Sequence, residues 1–378
     1  MTIADRLGLE APPASLWPSD ALRLHSKAPT KPARRRILVL AMGAEIQYRV
    51  LRCAASLGAD IHVAGPSRAR PLAFSRFCKR YHRTSISPGA SPRALTEKIN
   101  EIVRDHQIDL ILPSDTVTTR LLTRIRRTLS APTFPVPDAA AFDSLVAKDR
   151  FMHLCAQHGV PHPRGLVVSN GEELMAALRE SRIRLPAILK PLNGAGSMGV
   201  VRIDADNALK VAATIAYAPI LVQDFIAGED RSISLFCRAG EVGKCVVYAH
   251  PDGVFRFYDE PALVEIVKAL ARRMRLDGVI NFDARVAPDG TVWIIECNPR
   301  FFFSMDAIMV AGVNFAEADP APFKASGTAV RCEVRLPRAT LRQFLRLDLP
   351  KGNDWRMLGH WFGDPLMFAL ALSGFQRR

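Results

Sequence analysis

Glu296 lies thirteen residues after Asp283, and Asn298 two residues further on. The spacing matters only if the chain turns back between them, and the sequence says that it does. Residues 279–286 (VINFDARV) and 291–297 (TVWIIEC) are rich in β-branched and aromatic side chains, and APDG at 287–290 supplies turn chemistry. Side chains alternate along a strand, so Glu296 and Asn298 share a face, and a loop of about four residues puts Asp283 opposite on the partner strand. Three oxygen donors, two of them carboxylates, suit a hard cation, and Mg²⁺ is commonly held by one or two carboxylates plus the phosphates of a substrate. Arg300 follows within reach, a guanidinium suited to a phosphate or a carboxylate. The competing reading is a pair of solvated acids. Against it stands the apolar run Val292, Trp293, Ile294 and Ile295, in which a bare carboxylate is costly unless solvated, paired or metal-bound.

A second chemical stretch is PAILKPLNGAGSMGVVRI at 186–203. Gly194, Gly196 and Gly199, with Ser197 and Met198 among them, match G-x-G-x-x-G. A dinucleotide fingerprint needs a helix after the glycines, whereas VVRI is β-branched and reads as a strand. Strand, glycine loop, strand is the form of a flap over phosphates, its backbone N–H groups facing the anion, with Lys190 adding charge from the preceding strand. An ordinary hairpin turn is the alternative. Downstream, ILVQDFIAGEDRSISLFCRAGEV (220–242) reads as strand, bend at Gly228, strand. Such a segment can hold a nucleotide base. Backbone groups of Asp224 to Ile226 pair with the adenine edge, Phe225 or Ile226 gives apolar contact, and Asp230 accepts from the ribose hydroxyls. A glycine turn between strands is also common without any ligand.

The elements that must carry these residues follow from periodicity. A strand at 35–43 ending in Gly43, a helix over 47–57, a strand at 60–64, a helix over 94–106 and a strand at 108–113 give a β-α-β rhythm. That rhythm implies a doubly wound parallel sheet over 35–135. Ser114 and Asp115 either border a cleft or cap a helix over 116–129, and capping is the better reading. Pro132, Pro135 and Pro137 mark a linker, after which 139–159 reads as one helix carrying Lys148. A helix near 205–217 precedes the base segment. Residues 1–34 read as a flexible leader.

The chain has 378 residues, 48% of them hydrophobic and 23% charged, as in a soluble globular protein of two or three domains. Its net charge of +14 is scattered and lacks an aromatic platform, so no nucleic-acid partner is expected, and an anionic nucleotide substrate accounts for part of the excess. Seven cysteines without a CxxC pair indicate reduced thiols and a cytoplasmic protein, with Cys297 turned toward the core. No apolar run reaches transmembrane length.

Taken in order, Lys148 in AKDRFMHLCAQHGVPHP, Lys190 before GAGSMGV, QDFIAGED from Gln223 to Asp230, and Glu296-Asn298-Arg300 in E-x-N-P-R resemble the ATP-grasp superfamily, in its carboxylate–amine ligase branch. The resemblance runs over roughly residues 35–315. It implies an α/β chain of the α+β ATP-grasp type: a doubly wound parallel-sheet domain (35–135), then a two-lobed ATP-grasp domain (136–330) with a glycine-rich lid near 150–220, and a helical tail (331–378). It further implies that Lys148 and Lys190 contact the ATP phosphates under the 194–199 loop. Gln223, Asp224, Phe225, Ile226 and Asp230 hold the nucleoside in this reading. Asp283, Glu296 and Asn298 bind two Mg²⁺ ions, or Mn²⁺, and Arg300 stabilises the transferring phosphoryl group. The implied reaction joins a small carboxylate and an amine, amino acids or a small peptide, through an acylphosphate with release of ADP and phosphate. A homodimer is usual for such ligases.

Two features depart from the pattern. Gln223-Asp224 stands where related ligases often carry Glu and a variable residue. Phe301-Phe302-Phe303-Ser304-Met305 is bulky where many members have a small residue, and it either lines an acceptor pocket or packs the core. A kinase-like enzyme would share the flap and the lysine, but no HRD-type loop or DFG triplet is present. A bicarbonate-activating carboxylase and a non-catalytic ATP binder remain as alternatives. The segment DPLMFALALSGFQRR reads as an amphipathic helix docking on the body, on a partner or on a membrane surface, and its two terminal basic residues make the body the better reading.

Overall fold

The run RILVL has nothing polar after its first residue and folds as the buried strand β1 (Arg36–Leu40) of a computed structural model that describes residues 34–86, 91–192, 198–317, 333–347 and 349–372. Helix α1 (Glu45–Ala55), β2 (Asp60–Gly65), β3 (Cys78–Arg83), α2 (Pro92–His106), β4 (Leu110–Leu112) and α3 (Thr116–Ile125) follow. Among the described residues the four strands pair in parallel in the order β3-β2-β1-β4. Strand alternation splits β1 between two cores. Ile37 and Val39 pack with α1, whereas Leu38 and Leu40 pack with α2 and α3. This is the doubly wound parallel sheet expected there. Strand β3 was not anticipated, because Cys-Lys-Arg-Tyr-His-Arg is mostly polar, the composition of a sheet edge.

The helix expected over 139–159 is two helices, α4 (Ala139–Val146) and α5 (Lys148–Gln157), separated by Ala147 with extended backbone. No glycine or proline marks the break. The kink lets Leu145 of α4 and Phe151 and Leu154 of α5 enter one core, and it makes Lys148 the first residue of a helix. The helix after Asp115 stops at Ile125, four residues early.

A second sheet holds β5 (Gly165–Val168), β6 (Ala187–Pro191), β7 (Val201–Ile203) and β8 (Ile220–Asp224) in the order β5-β8-β6-β7, flanked by α6 (Gly171–Arg179) and α7 (Ala208–Thr214). β6 and β7 pair antiparallel, with Ala187 opposite Ile203. The glycine run therefore joins two strands and opens no helix. Residues 193–197, which include Gly194, Gly196 and Ser197, lie outside the described residues.

The third sheet is built from β9 (Glu229–Arg238), β10 (Glu241–Ala249), β11 (Val254–Tyr258), β12 (Gly278–Val286), β13 (Val292–Asn298) and β14 (Glu333–Arg335), in the order β13-β12-β9-β10-β11-β14. Ile233, Leu235, Ile280, Phe282 and Cys297 turn to one side, against α5 and α8 (Pro261–Met274). Cys297 is core, as expected. The opposite face carries the polar residues of the site.

Beyond Arg300 the chain forms α9 (Met305–Val310), then α10 (Pro337–Phe344), α11 (Asn353–Phe362) and α12 (Pro365–Leu372) after β14. Phe301, Phe302 and Met305 are buried in the core that α1 joins, so the bulky run is core packing at those three positions. The Arg49 guanidinium lies 3.7 Å from the Phe303 ring centroid and pairs with Asp306 at 2.6 Å, both partners almost fully buried. A buried pair of this kind is costly to break from one side, so it pins the segment after Arg300 to α1. Of the C-terminal helices, α11 docks on the same helix, the Trp361 ring centroid lying 5.4 Å from that of Tyr48. Met357 and Trp361 are buried, and Asp364 accepts from Tyr48 Oη at 3.2 Å and from Ser75 Oγ.

Candidate active site

The hairpin β12–β13 sets the register expected from spacing alone: Asp283 pairs with Glu296 and Asn281 with Asn298. Ala287 N–H donates to Thr291 O and Gly290 N–H to Ala287 O, closing the APDG turn. A bulge after Asp283 leaves Ile295 without a partner and re-aims the strand beside the two carboxylates. On the other side of β12, Asp283 pairs with Ser232 and Arg285 with Asp230. One sheet face therefore presents Asp230, Ser232, Asp283, Arg285, Glu296 and Asn298 together.

Asp283 Oδ1 accepts from Ser232 Oγ at 2.8 Å, and Asn298 Nδ2 lies 3.4 Å from Glu296 Oε1. Burial pushes the Asp283 carboxyl up from 3.8 to about 6; the Glu296 charge adds to the rise, and Ser232, Arg300 and Lys190 oppose it. An Asp283 carboxyl held up by burial and by the Glu296 charge across the ladder gives, together with Glu296, a donor set that suits a divalent cation. The residues present thus fit Mg²⁺. Between about pH 4 and pH 6 the folded chain keeps a proton that unfolded Asp283 has lost. Metal-free stability should therefore fall as pH rises through that window, and Mn²⁺ affinity should rise through about pH 6. Titrating Mn²⁺ binding between about pH 5 and about pH 7 checks this; an Asp283→Asn chain should show weaker binding with a flatter pH profile.

Arg300 is set by three bonds. Its Nε donates to Thr116 Oγ1 at 2.8 Å, Nη2 to Asn298 Oδ1 at 3.0 Å and Nη1 to Phe301 O at 2.9 Å. Burial lowers its pKa, with Asp115, Glu296 and Asp283 pulling the other way. Thr116 opens α3, so the first sheet's helix positions a guanidinium of the third sheet. Asp115 itself is a cap: it accepts from Thr118 N–H at 2.9 Å, Met42 N–H at 2.9 Å and Gln47 Nε2 at 2.8 Å.

Lys190 on β6 is buried, and its Nζ donates to Gln223 Oε1 at 3.0 Å. Burial lowers its pKa, Glu296 and Asp283 favour its charge, and Lys148 opposes it. These mutual influences bring Lys148, Lys190, Asp283, Glu296 and Arg300 from three sequence-distant segments into one electrostatic cluster. In the base segment two of the three backbone N–H groups are already engaged. Asp224 N–H donates to Arg164 O at 2.9 Å and Phe225 N–H to Pro186 O at 3.1 Å, which leaves the Ile226 N–H. The Phe225 ring lies under Arg202, 4.3 Å from its centroid. Asp230 is largely exposed and pairs with Arg285 Nε at 3.1 Å. Gly228 (φ +143°) passes so close to β12 that a Cβ would meet Val286 O at 2.2 Å, so only glycine fits this bend. Met198 and Gly199 lie exposed at the described edge of the loop, where Tyr217 Oη donates to Gly199 O at 2.6 Å.

Sequence reasoning missed Ser232, Arg285, Thr116 and the Asn281–Tyr248 pair, Asn281 lying two residues along the strand from Asp283. Asn281 Nδ2 lies 3.3 Å from Tyr248 Oη, whose pKa burial pushes up to about 12. Strand alternation from Asp230 could have flagged Ser232. Nothing local could have found Thr116, which lies 184 residues from Arg300.

The RimK-like ATP-grasp domain family matches residues 146–258, and the family described as ATP-grasp in the biosynthetic pathway with Ter operon matches residues 216–340. Together they span both strand pairs of the site. The chain belongs to the ATP-grasp superfamily. Among curated ATP-grasp relatives, D-aspartate ligase of Enterococcus faecium is 23% identical over 69% of this chain and 74% of its own. The arginine-specific carbamoyl phosphate synthase large chain of Geobacillus stearothermophilus is 25% identical over 42% of this chain, which spans only 16% of that protein. In fold, the chain is similar to an L-amino acid ligase from Bacillus licheniformis (TM-score 0.55, 15% identity, 75% of this chain and 72% of that one). It is also similar to an ADP complex of N5-carboxyaminoimidazole ribonucleotide synthetase (TM-score 0.58, 19% identity, 75% of each chain). No helix among the described residues is long and apolar enough to cross a membrane.

Proposed function

We propose that this ATP-grasp chain is an ADP-forming carboxylate–amine ligase acting on amino acids or a small peptide. The observation that carries the reading is the register of Asp283 against Glu296, with Asn298 and Arg300 beside them and Lys190 within electrostatic reach. Asp283, Glu296 and Asn298 would hold Mg²⁺, which neutralises charge on the transferring phosphoryl group when bound. Lys148 and Lys190 draw the ATP phosphates, and Arg300, fixed by Thr116 and Asn298, faces the oxygens that gain charge. The substrate carboxylate oxygen attacks the γ-phosphorus as the bond to the β-phosphate oxygen of departing ADP breaks. The amine then attacks the acyl carbon, phosphate leaves, and the amine gives up a proton. No protein nucleophile is needed, because positioning and charge neutralisation do most of the work. The 194–199 loop would close as a lid that keeps water from the acylphosphate. In this reading residues 35–135 and 136–330 are the parallel-sheet and ATP-grasp domains, and 331–378 a helical tail. The names of the D-aspartate and L-amino acid ligases support the substrate class.

Product analysis tests the reading. Purified protein with ATP, Mg²⁺ and pooled amino acids should yield substrate-dependent ADP and phosphate. AMP with pyrophosphate would overturn the acylphosphate route, and ADP release driven by bicarbonate alone would favour a carboxylase. Asp230→Ala should raise the Kd for ATP several-fold, by about 1 kcal/mol for a lost hydrogen bond, with a smaller effect on kcat. Calorimetric titration with ATP and steady-state rates separate the two; an unchanged Kd removes Asp230 from the nucleotide site.

A further inference from the structure

Helices α10 and α11 turn a concentrated apolar surface to solvent. Of the fourteen large apolar side chains that stand well out among the described residues, eight lie between 341 and 366. On α10 the buried residue is Thr340, so Arg338, Arg342, Leu341 and Leu345 lie on the outward side, Leu345 being 77% exposed. Leu347, in the turn beyond, is 94% exposed. On α11, Met357 and Trp361 face inward, while Trp355 and Phe362, seven residues apart on the outer line, are both more than half exposed. Helices α10 and α11 pack against one another.

Basic residues are interleaved with that patch. Arg338, Arg342 and Arg346 recur every four residues, forming a stripe beside Leu341 and Leu345. Next to it opens a cavity of about 560 Å³ to which Arg335, Lys351 and Arg356 contribute, against one acid, Glu333. Arg335 is held by Asp354 and Glu333. The leucines of α10 and of the turn beyond it, like Trp355 of α11, stand exposed among basic side chains. A fluid, negatively charged surface accepts protruding apolar groups and an arginine stripe together. Clustered exposed apolar side chains rimmed by polar residues mark interaction sites.

We propose that the α10–α11 face docks this chain on an anionic phospholipid surface, with Leu345, Leu347 and Trp355 entering the interface and Arg342 and Arg346 lying on lipid phosphates. The chain would lie on the membrane without spanning it, and its net charge of +14 favours the approach.

Sedimentation of the full chain with vesicles tests this, using phosphatidylcholine alone and phosphatidylcholine mixed with phosphatidylglycerol. Binding is expected only to the mixed vesicles and should weaken with salt. Leu345→Ser with Leu347→Ser, and separately Arg342→Glu with Arg346→Glu, should each lower the vesicle partition coefficient roughly tenfold or more. Unfolding temperatures should stay unchanged, since these side chains lie outside the core. Wild-type protein that stays in the supernatant, or pelleting indifferent to both variants, overturns the proposal. So does a lipid-free dimer that the leucine variants dissociate, which would give the patch to a second copy. The proposal stands apart from the ligase reading, and substrate-dependent ADP release measured alongside tells the two apart.

Discussion

Replacing Glu296 by Gln is expected to cut substrate-dependent ADP release by about 10² to 10³-fold or more, the loss typical of removing a group that stabilises transition-state charge. The substitution keeps the side chain's volume and its place opposite Asp283 and removes one charge of the facing pair. With the neighbouring anion gone, the Asp283 carboxyl should ionise at lower pH, because Glu296 is the second cause of its rise after burial. Folding should not suffer, and metal-free protein should unfold at the same temperature or slightly higher. Initial rates together with thermal denaturation check both halves. Turnover near the wild-type value would remove Glu296 from the metal site. A collapse in stability would mean that its role is structural.

Lys190→Ala, with Lys190→Met as the volume-matched companion, should lower kcat by a similar factor, about 10² or more, because in the proposed reaction the phosphates lose a buried cation. The stability effect runs the other way from that of an ordinary core deletion. Burial opposes the charge on Lys190, so the folded state holds its proton less tightly than the unfolded state. In the window between that lowered value and the ordinary lysine range the unfolded chain binds more protons. The wild-type chain therefore gains stability as pH rises, and its deficit relative to Lys190→Met should shrink. Offsetting this, Gln223 Oε1 loses its partner in the variant, at a cost of about 1–3 kcal/mol. Denaturant unfolding at several pH values reads the balance. A Met variant that keeps full turnover would sink the phosphate role.

Much of the site was legible because its parts are local. The hairpin spacing placed Asp283 against Glu296, since a period of two and a short turn leave the register little freedom. The β-branched run after the glycines excluded a dinucleotide fold, and β6–β7 pairing agrees with that reading. Asp115 was legible as a cap for the same reason, its partner Thr118 being three residues away. The misreadings were of elements whose state depends on what they pack against. Edge strand β3 carries little apolar signal of its own. The kink at Ala147 has no local marker, and it follows from Leu145 and Phe151 having to share one core.

The donor types, the hairpin register, the parallel first sheet and the order of the candidate site's segments are all written in the sequence. Each of these is fixed by strand alternation or by turn and cap chemistry within a few residues. Only the tertiary structure decided that Thr116 orients Arg300, that Ser232 orients Asp283, and that Arg49 pins the segment after Arg300 through Asp306. Those partners are 51 to 257 residues apart. Their meeting depends on how sheets and helices pack in three dimensions, and no local period encodes it. The same reason holds for the outward face of α10 and α11: which side of an amphipathic helix stays bare is settled by what the rest of the chain covers.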